Sequence, residues 1–265
     1  MNTKQIFPVL GVILLMAGCK GSEEGVIEFK SVVADKTVVL SNEENSPTCT
    51  VHLEMQAATE ESGHAGELIN ATVMKRLLDR EEHSMQLAAE AFANNYTDTY
   101  KKTMMPLYNQ DRADTTKRAW YQYHYIINTS TQQGSKGTVV YLATVDYYEG
   151  GAHGINQLLT LNFETKTGRQ LTLADIFTTG YEQPLKSVLL KALKSKVGCT
   201  TMSALREKGY LYSMDIFPSE NFILGDETIT FIYNPYEIAP YAMGSTELII
   251  PYDDVEKILK TTFEY

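Results

Sequence analysis

Cations, cysteine and long apolar runs are all scarce in this sequence, and each shortage argues against a class of protein. The 265 residues include 23 Lys plus Arg and 33 Asp plus Glu, for a formal net charge of −10. A chain with this charge repels phosphate groups, which argues against a nucleic acid as partner. Beyond residue 18 no apolar run approaches the roughly 20 residues that span a bilayer. The best one, residues 139–145, is typical of a strand.

The common motifs of enzymes and metal sites are also missing. The sequence has no G-x-S-x-G elbow, no P-loop, no G-x-G-x-x-G after a first strand and no H-E-x-x-H. Its five histidines are scattered without ligand spacing: His52, His64, His83, His124 and His153. The sequence therefore predicts no catalytic site, no metal and no cofactor.

The three cysteines divide into one near the start of the chain and two far from it. Cys49 and Cys199 could form a disulfide in an oxidising compartment, or remain as two buried thiols that pack as small apolar residues. The sequence does not decide between these alternatives, because it does not give the distance between the two Cα atoms.

The start of the chain is typical of a lipoprotein precursor. Lys4 precedes an apolar stretch, residues 6–17, and small residues come directly before Cys19. Residues 15–19 resemble a lipobox, so we expect a signal peptide at 1–18, acyl chains on Cys19 and a polar tether at 19–26. Loss of residues 1–18 removes Lys4 and no acidic residue, which changes the formal net charge from −10 to −11. These features predict a lipid-anchored protein of the cell envelope, at the periplasmic face or cell surface of the outer membrane.

The order of predicted elements indicates an α+β fold. β-rich segments come first, two helical segments follow, and strands and helices then alternate in clusters rather than singly. We expect mixed or antiparallel sheets with helices packed on one face, in two subdomains at 27–145 and 146–265. Pro106 is predicted to end the long second helix, and Gly198 to cap a later one.

A glycine-rich segment interrupts the strands in the middle of the chain. Glu149, Gly150, Gly151 and His153 lie in it, and the glycines indicate positive φ or a close approach of another backbone. His153 is interpreted either as a loop histidine bonded to nearby carbonyls or as a ligand-binding residue. In the enzymatic alternative it would act with Glu149 or Asp146 as an acid/base pair.

A second unusual segment contains two Pro-Tyr pairs, Pro235-Tyr236 and Pro240-Tyr241. A stiff loop that displays tyrosines is typical of an interaction surface. The alternative is a loop whose tyrosines fold back onto the sheet. Because the chain has 17 tyrosines, stacking on glycans is a third possibility.

Three groups of residues stand out in the C-terminal half: residues 148–154, then 161–168 with 171–177, then 233–244 with 250–252. Together and in this order they resemble one known family, the domain of unknown function 3298. The resemblance covers about residues 146–255. The same domain forms the extracytoplasmic part of a lysozyme-sensing anti-sigma factor and accompanies a peptidoglycan deacetylase whose chemistry lies in a separate domain.

The resemblance implies a binding module of the cell envelope rather than an enzyme. Its expected ligand is a basic, lysozyme-like protein or peptidoglycan. The alternatives are an enzyme acting on envelope glycans and a structural lipoprotein without a soluble ligand.

The acylation of Cys19 gives the first testable prediction. Cys19→Ala is expected to leave the precursor uncleaved and without acyl chains, because the thiol that accepts the lipid is gone. Metabolic labelling with palmitate measures this directly. Labelling of the variant at the level of the unchanged protein would contradict the lipoprotein interpretation.

Overall fold

Two β-sheets with separate apolar cores make up residues 25–265, the part of the chain that the computed structural model describes. The first sheet has six strands in sequence order. They are β1 Phe29–Val39, β2 Thr48–Ala58, β3 Tyr123–Gln133, β4 Thr138–Tyr148, β5 Ile155–Glu164 and β6 Gln170–Leu171. β2 and β3 are parallel, and the other neighbouring pairs are antiparallel. The sheet is therefore mixed, as expected.

Two helices, α1 Gly63–Val73 and α2 Met85–Asp111, lie in the connection between β2 and β3 and pack on β1 and β2. A helical connection of this kind is what a parallel strand pair requires. The Ser84 hydroxyl caps α2 by accepting a hydrogen bond from the Leu87 N–H at 3.3 Å. Between the helices, Met74–Leu78 forms a π-helical turn that ends at Asp79 in the left-handed conformation, φ 50°.

The prediction that Pro106 ends the second helix is wrong. α2 continues through Pro106 to Asp111. Beyond the proline, Tyr108 is buried and its hydroxyl donates to Glu43 at 3.1 Å. Since proline removes one backbone hydrogen bond of the helix, this tertiary packing offsets the local loss.

The second sheet has three antiparallel strands, β7 Phe222–Leu224, β8 Thr228–Tyr233 and β9 Thr246–Pro251. Its helices are α3 Leu173–Ile176, α4 Glu182–Val197, α5 Met202–Glu207 and α6 Tyr252–Val255. α4 buries Leu185, Leu189 and Leu193 at four-residue spacing. Gly198 ends this helix at φ 66°, in agreement with its predicted role.

The α+β class is confirmed, but the boundary predicted between residues 145 and 146 falls inside β4. β4 pairs with β5 from Thr138↔Glu164 to Tyr147↔Ile155, so both strands belong to one sheet. The second apolar core begins at Leu171. The change in sequence pattern near residue 146 therefore reflects the approaching end of strand β4. It does not mark a boundary between two subdomains.

Asparagine side chains join the two sheets. The Asn162 amide on β5 accepts from the Leu224 N–H at 3.0 Å and donates to the Phe222 carbonyl at 2.7 Å. Asn221 accepts from the Thr160 N–H at 2.8 Å and donates to the Leu158 carbonyl at 2.7 Å.

Asn234, which directly follows β8, completes this junction. It accepts from the Leu158 N–H at 2.9 Å and donates to the Leu158 carbonyl at 3.0 Å. Each amide supplies one acceptor and one donor, as a peptide group of a neighbouring strand would.

The predicted signal peptide, Cys19 and most of the predicted tether lie outside the described residues, which begin at Gly25. A Cβ at Gly25 would lie 2.9 Å from the Thr165 carbonyl oxygen, just beyond the end of β5. Within 25–265, no helix is both long enough and apolar enough to cross a membrane.

The possible disulfide is not formed, because Cys49 and Cys199 are both free. Cys49 packs in the first core and Cys199 against the second. Burial raises the pKa of the Cys49 thiol to about 12, so it stays protonated and behaves as an apolar side chain.

The asparagine junction predicts a strong and pH-dependent effect of Asn162→Asp. The new carboxylate would lose the donor to Phe222 O and place a charge in a site where the native side chain is 1 % exposed. We expect a loss of about 2–3 kcal/mol of unfolding free energy at pH 7. Burial raises the pKa of such a carboxyl in the folded state, so the loss should shrink as pH falls and the carboxyl regains a proton.

Urea unfolding at pH 7 and pH 4.5 measures both effects. Asn128→Asp, on the exposed part of β3, is the matched control and should change stability little. Equal effects of the two substitutions would contradict a structural role for the Asn162 amide.

Candidate functional site

The glycine-rich segment forms the connection between β4 and β5, and its glycines have both expected properties. Gly150 and Gly151 have φ of 85° and 96°. A Cβ at Gly150 would also lie 2.8 Å from the Trp120 carbonyl oxygen. The Tyr148 hydroxyl donates to the Gly151 carbonyl at 2.8 Å and closes the loop.

The Pro-Tyr loop connects β8 to β9 and holds one strained residue. Tyr236 has φ 74°, an unfavourable conformation for a non-glycine residue that costs about 1–3 kcal/mol. Its N–H donates to the Ala239 carbonyl at 3.0 Å, and the Asn234 N–H donates to the Glu237 carboxylate at 2.7 Å. Burial raises the pKa of Glu237, and this hydrogen bond partly offsets the effect. The Tyr236 ring is 55 % exposed, so the tyrosine does not fold back onto the sheet.

The two loops meet in an aromatic cluster of His153, Tyr236 and Tyr241. The His153 and Tyr241 rings stack with centroids 4.1 Å apart and planes 14° apart. The Tyr236 hydroxyl lies 3.1 Å from His153 Nε2, and His153 Nδ1 lies 3.0 Å from the Gly154 carbonyl. Because a carbonyl only accepts, Nδ1 donates the hydrogen of its contact with Gly154, and Nε2 faces the tyrosine hydroxyl.

Strand β5 explains why loops 83 residues apart in sequence come together. His153 precedes the first residue of β5 by two positions. Asn234 is bonded to Leu158 on the same strand and precedes Tyr236 by two positions. The asparagine junction therefore sets the distance between the histidine and the tyrosines.

The prolines of the loop have different positions. Pro235 is half-buried before Tyr236, whereas Pro240 is exposed and directly precedes a short 3-10 turn, Tyr241–Met243. The fixed φ of Pro240 orients the start of that turn and with it the Tyr241 ring.

Further large exposed side chains lie on segments that are joined to the two loops, and sequence reasoning did not identify them. The Trp120 backbone contacts Gly150, and the Leu211 N–H donates to the Ile238 carbonyl at 2.8 Å, which joins the following segment to the Pro-Tyr loop. These large exposed residues are Trp120, Tyr212, Met214 and Met243. Aromatic residues and methionine are enriched at protein interfaces. No sequence signal identifies them, since exposure depends on the fold.

The acids considered as partners of His153 have other partners. Glu149 accepts a hydrogen bond from the Tyr96 hydroxyl of α2 at 2.7 Å, and Asp146 lies 2.7 Å from Nε2 of His124. Burial, and then the bond to Glu149, raise the pKa of Tyr96, so its phenol remains a donor.

Within residues 25–265, no group of three or more His, Cys, Asp or Glu side chains could hold a metal ion.

Comparison with known proteins places this fold in a family. A family described as a protein of unknown function, DUF3298, matches residues 174–253. The crystal structure of a DUF3298 family member from Bacteroides fragilis NCTC 9343 superimposes with a TM-score of 0.84 and 31 % identity, over 90 % of this chain and 95 % of that one. This chain belongs to the DUF3298 family.

A second DUF3298 structure, from Pseudomonas aeruginosa PAO1, shares the fold at lower similarity. Its TM-score is 0.60 and its identity 14 %, over 90 % of this chain and 97 % of that chain. A search of curated proteins gave no significant match. The residues matched by the DUF3298 family description coincide with the second sheet and its helices, and they include the Pro-Tyr loop but not His153.

The geometry of the glycine loop predicts different effects at two adjacent positions. Gly151→Ala should lose about 1–3 kcal/mol of stability through φ strain alone, since nothing lies within 4 Å of its Cβ position. Gly150→Ala adds an overlap with the Trp120 carbonyl and should be less stable than Gly151→Ala. Chemical unfolding of both variants measures the difference, and an equal loss would contradict the close approach.

Proposed function

We propose that this DUF3298 protein is a lipid-anchored, non-enzymatic binding protein of the cell envelope whose ligand is a basic protein. The observation that carries the proposal is the exposed aromatic cluster, with Tyr236 held in a strained conformation. Strained residues are retained where the surrounding structure positions them for a function. Rigid, exposed tyrosines at such a position are typical binding residues.

The position of the tether supports presentation of the cluster away from a membrane. Gly25 lies at the end of β5, whereas His153 precedes its beginning. The ten residues of β5 span about 33 Å at 3.3 Å per residue. A protein anchored through Cys19 would therefore hold its aromatic cluster at the end distant from the lipid.

Charge favours a basic partner over an acidic one. The chain without residues 1–18 has a formal net charge of −11, and Glu149 and Glu237 lie in the two loops of the cluster. Complementary charge accelerates association. Lysozyme, which is strongly basic, suits this surface, and the resemblance to a lysozyme-sensing domain points to the same ligand.

The environment of His153 favours binding over catalysis. Its ring nitrogens contact a carbonyl oxygen and a tyrosine hydroxyl, and neither Asp146 nor Glu149 is among its hydrogen-bond partners. A histidine that acts as a base is normally oriented by an acid or another group that stabilises its charged form. The cluster instead provides stacked rings, which suit contact with a ligand surface.

The proposal predicts separate effects of salt and of tyrosine on binding to lysozyme. Higher salt should slow association, because screening shortens the reach of charge to about 8 Å at physiological ionic strength. Tyr236→Ala and Tyr241→Ala should accelerate dissociation and weaken binding by about 1–3 kcal/mol, because each removes a central ring. Biolayer interferometry of the full chain in detergent, at low and high salt, measures both rates.

Tyr265→Ala is the matched control. Tyr265 is also 50 % exposed, but its ring stacks on Tyr252 rather than in the cluster. The Tyr265→Ala substitution should leave the rates of association and dissociation unchanged. Absence of lysozyme binding in either salt would contradict the proposed ligand, and turnover of cell-wall fragments that His153→Ala abolishes would favour the enzymatic alternative.

A further inference from the structure

A cleft on the helix-covered side of the first sheet is separate from the aromatic cluster and has the chemistry of a ligand site. Its volume is about 330 Å³, and it lies between the π-helical turn and strands β3 to β5. Arg76 and Leu77 line one side, and Tyr147, Glu149 and Gln157 line the other. This volume is at the lower end of the range for small-molecule sites, which suits a single ring-sized group.

A row of aromatic rings ends at this cleft. Tyr125 packs against Phe92 and Tyr96 of α2, with centroids 5.1 Å apart in both cases. Tyr147 stacks on Tyr125 at 5.5 Å with planes 19° apart, and it has no other ring neighbour within residues 25–265. The half-buried Tyr147 is thus held rigidly by the row and borders the cleft.

The polar side chains at the cleft have unused hydrogen-bonding capacity. Glu149 accepts from Tyr96 through one carboxylate oxygen, Oε1. In the described part of the chain, Arg76 has no ion pair, and Gln157 makes no side-chain hydrogen bond.

The backbone that carries Arg76 is unusual in two independent ways. Met74–Leu78 is π-helical, a conformation frequent at functional sites, and Asp79 ends it at φ 50°. Lys75 pairs with Asp79 at 2.8 Å and with Glu81 at 3.2 Å, which stabilises the strained end. A regular helix would place Arg76 and Leu77 at a different angle, so the distortion positions them at the cleft.

We propose that this cleft binds a sugar ring that carries a carboxylate. The ring packs against Tyr147, and the Arg76 guanidinium binds the carboxylate in the bidentate geometry that arginine favours. Gln157 and Glu149 bind hydroxyls, which suits a sugar because each hydroxyl both donates and accepts. The site shares no side chain with the aromatic cluster, so it does not depend on the binding of a basic protein there.

A matched pair of sugars tests the assignment. N-acetylmuramic acid carries a carboxylate that N-acetylglucosamine lacks. Isothermal titration of the full chain in detergent should give saturable binding of the acid and about tenfold weaker binding of the neutral sugar, because the charge-assisted bond to Arg76 is lost. Equal binding of the two, or binding of neither, would overturn the proposal.

Substitutions test separately the contact of Arg76 with the carboxylate and the contact of Tyr147 with the sugar ring. Arg76→Gln should remove the preference for the acid, while Arg206→Gln, an exposed arginine on α5 with the same change of charge, should preserve it. Tyr147→Leu should weaken both sugars about tenfold. If Tyr147→Leu fails to fold by thermal melting, Gln157→Leu at the cleft rim provides the second readout and should also weaken both sugars.

A different pattern of binding would identify a ligand other than a sugar. If lactate and short peptides bind as tightly as N-acetylmuramic acid, and Tyr147→Leu and Gln157→Leu leave all three unchanged, the cleft is a simple carboxylate site. That result would overturn the assignment of a sugar. An unchanged preference for the acid in Arg76→Gln would overturn the role of the arginine.

Discussion

The outer edge of β5 has no full-length neighbouring strand, and the fold depends on the amides that take its place. β6 pairs only with Asn162 and Phe163. Asn221 and Asn234 reach the backbone of Leu158 and Thr160, which would otherwise be left without partners beside the second sheet. An asparagine side chain is short, and it combines one donor group with one acceptor, so it substitutes for a peptide group where the strands themselves do not align.

This junction also creates the candidate surface. β8 ends at Tyr233, and Asn234 binds Leu158 directly afterwards, so the Pro-Tyr loop begins beside β5. The loop before β5 reaches the same end of the strand. His153 and Tyr241 can stack at 4.1 Å only because both connections leave from fixed points on one strand. The aromatic cluster is therefore a consequence of the packing of the two sheets.

Local patterns in the sequence predicted most elements, while the arrangement between them depended on contacts that no local pattern contains. The apolar spacing of α4, its cap at Gly198 and the glycines of the β4–β5 loop follow from intrinsic conformational preferences. The prediction that Pro106 ends α2 was wrong because the burial of Tyr108 outweighs the local tendency of proline to end a helix. The sequence identified the individual residues of the two loops. It did not predict that the loops contact each other, because that contact requires the long-range hydrogen bonds of Asn234. Trp120 and Tyr147 were missed for the same reason.

The relation between Gly25 and the aromatic cluster has a mechanical consequence. Gly25 leads into β1, which runs parallel to β4 and antiparallel to β5, so a pull applied between Gly25 and the aromatic cluster would act along the strands. The ladder bonds lie perpendicular to such a load. All eleven residue pairs between β1 and β2 then share the force in shear, instead of opening one after another from an end. A load applied between Gly25 and the cluster therefore meets more resistance than a load that separates the strands one pair at a time.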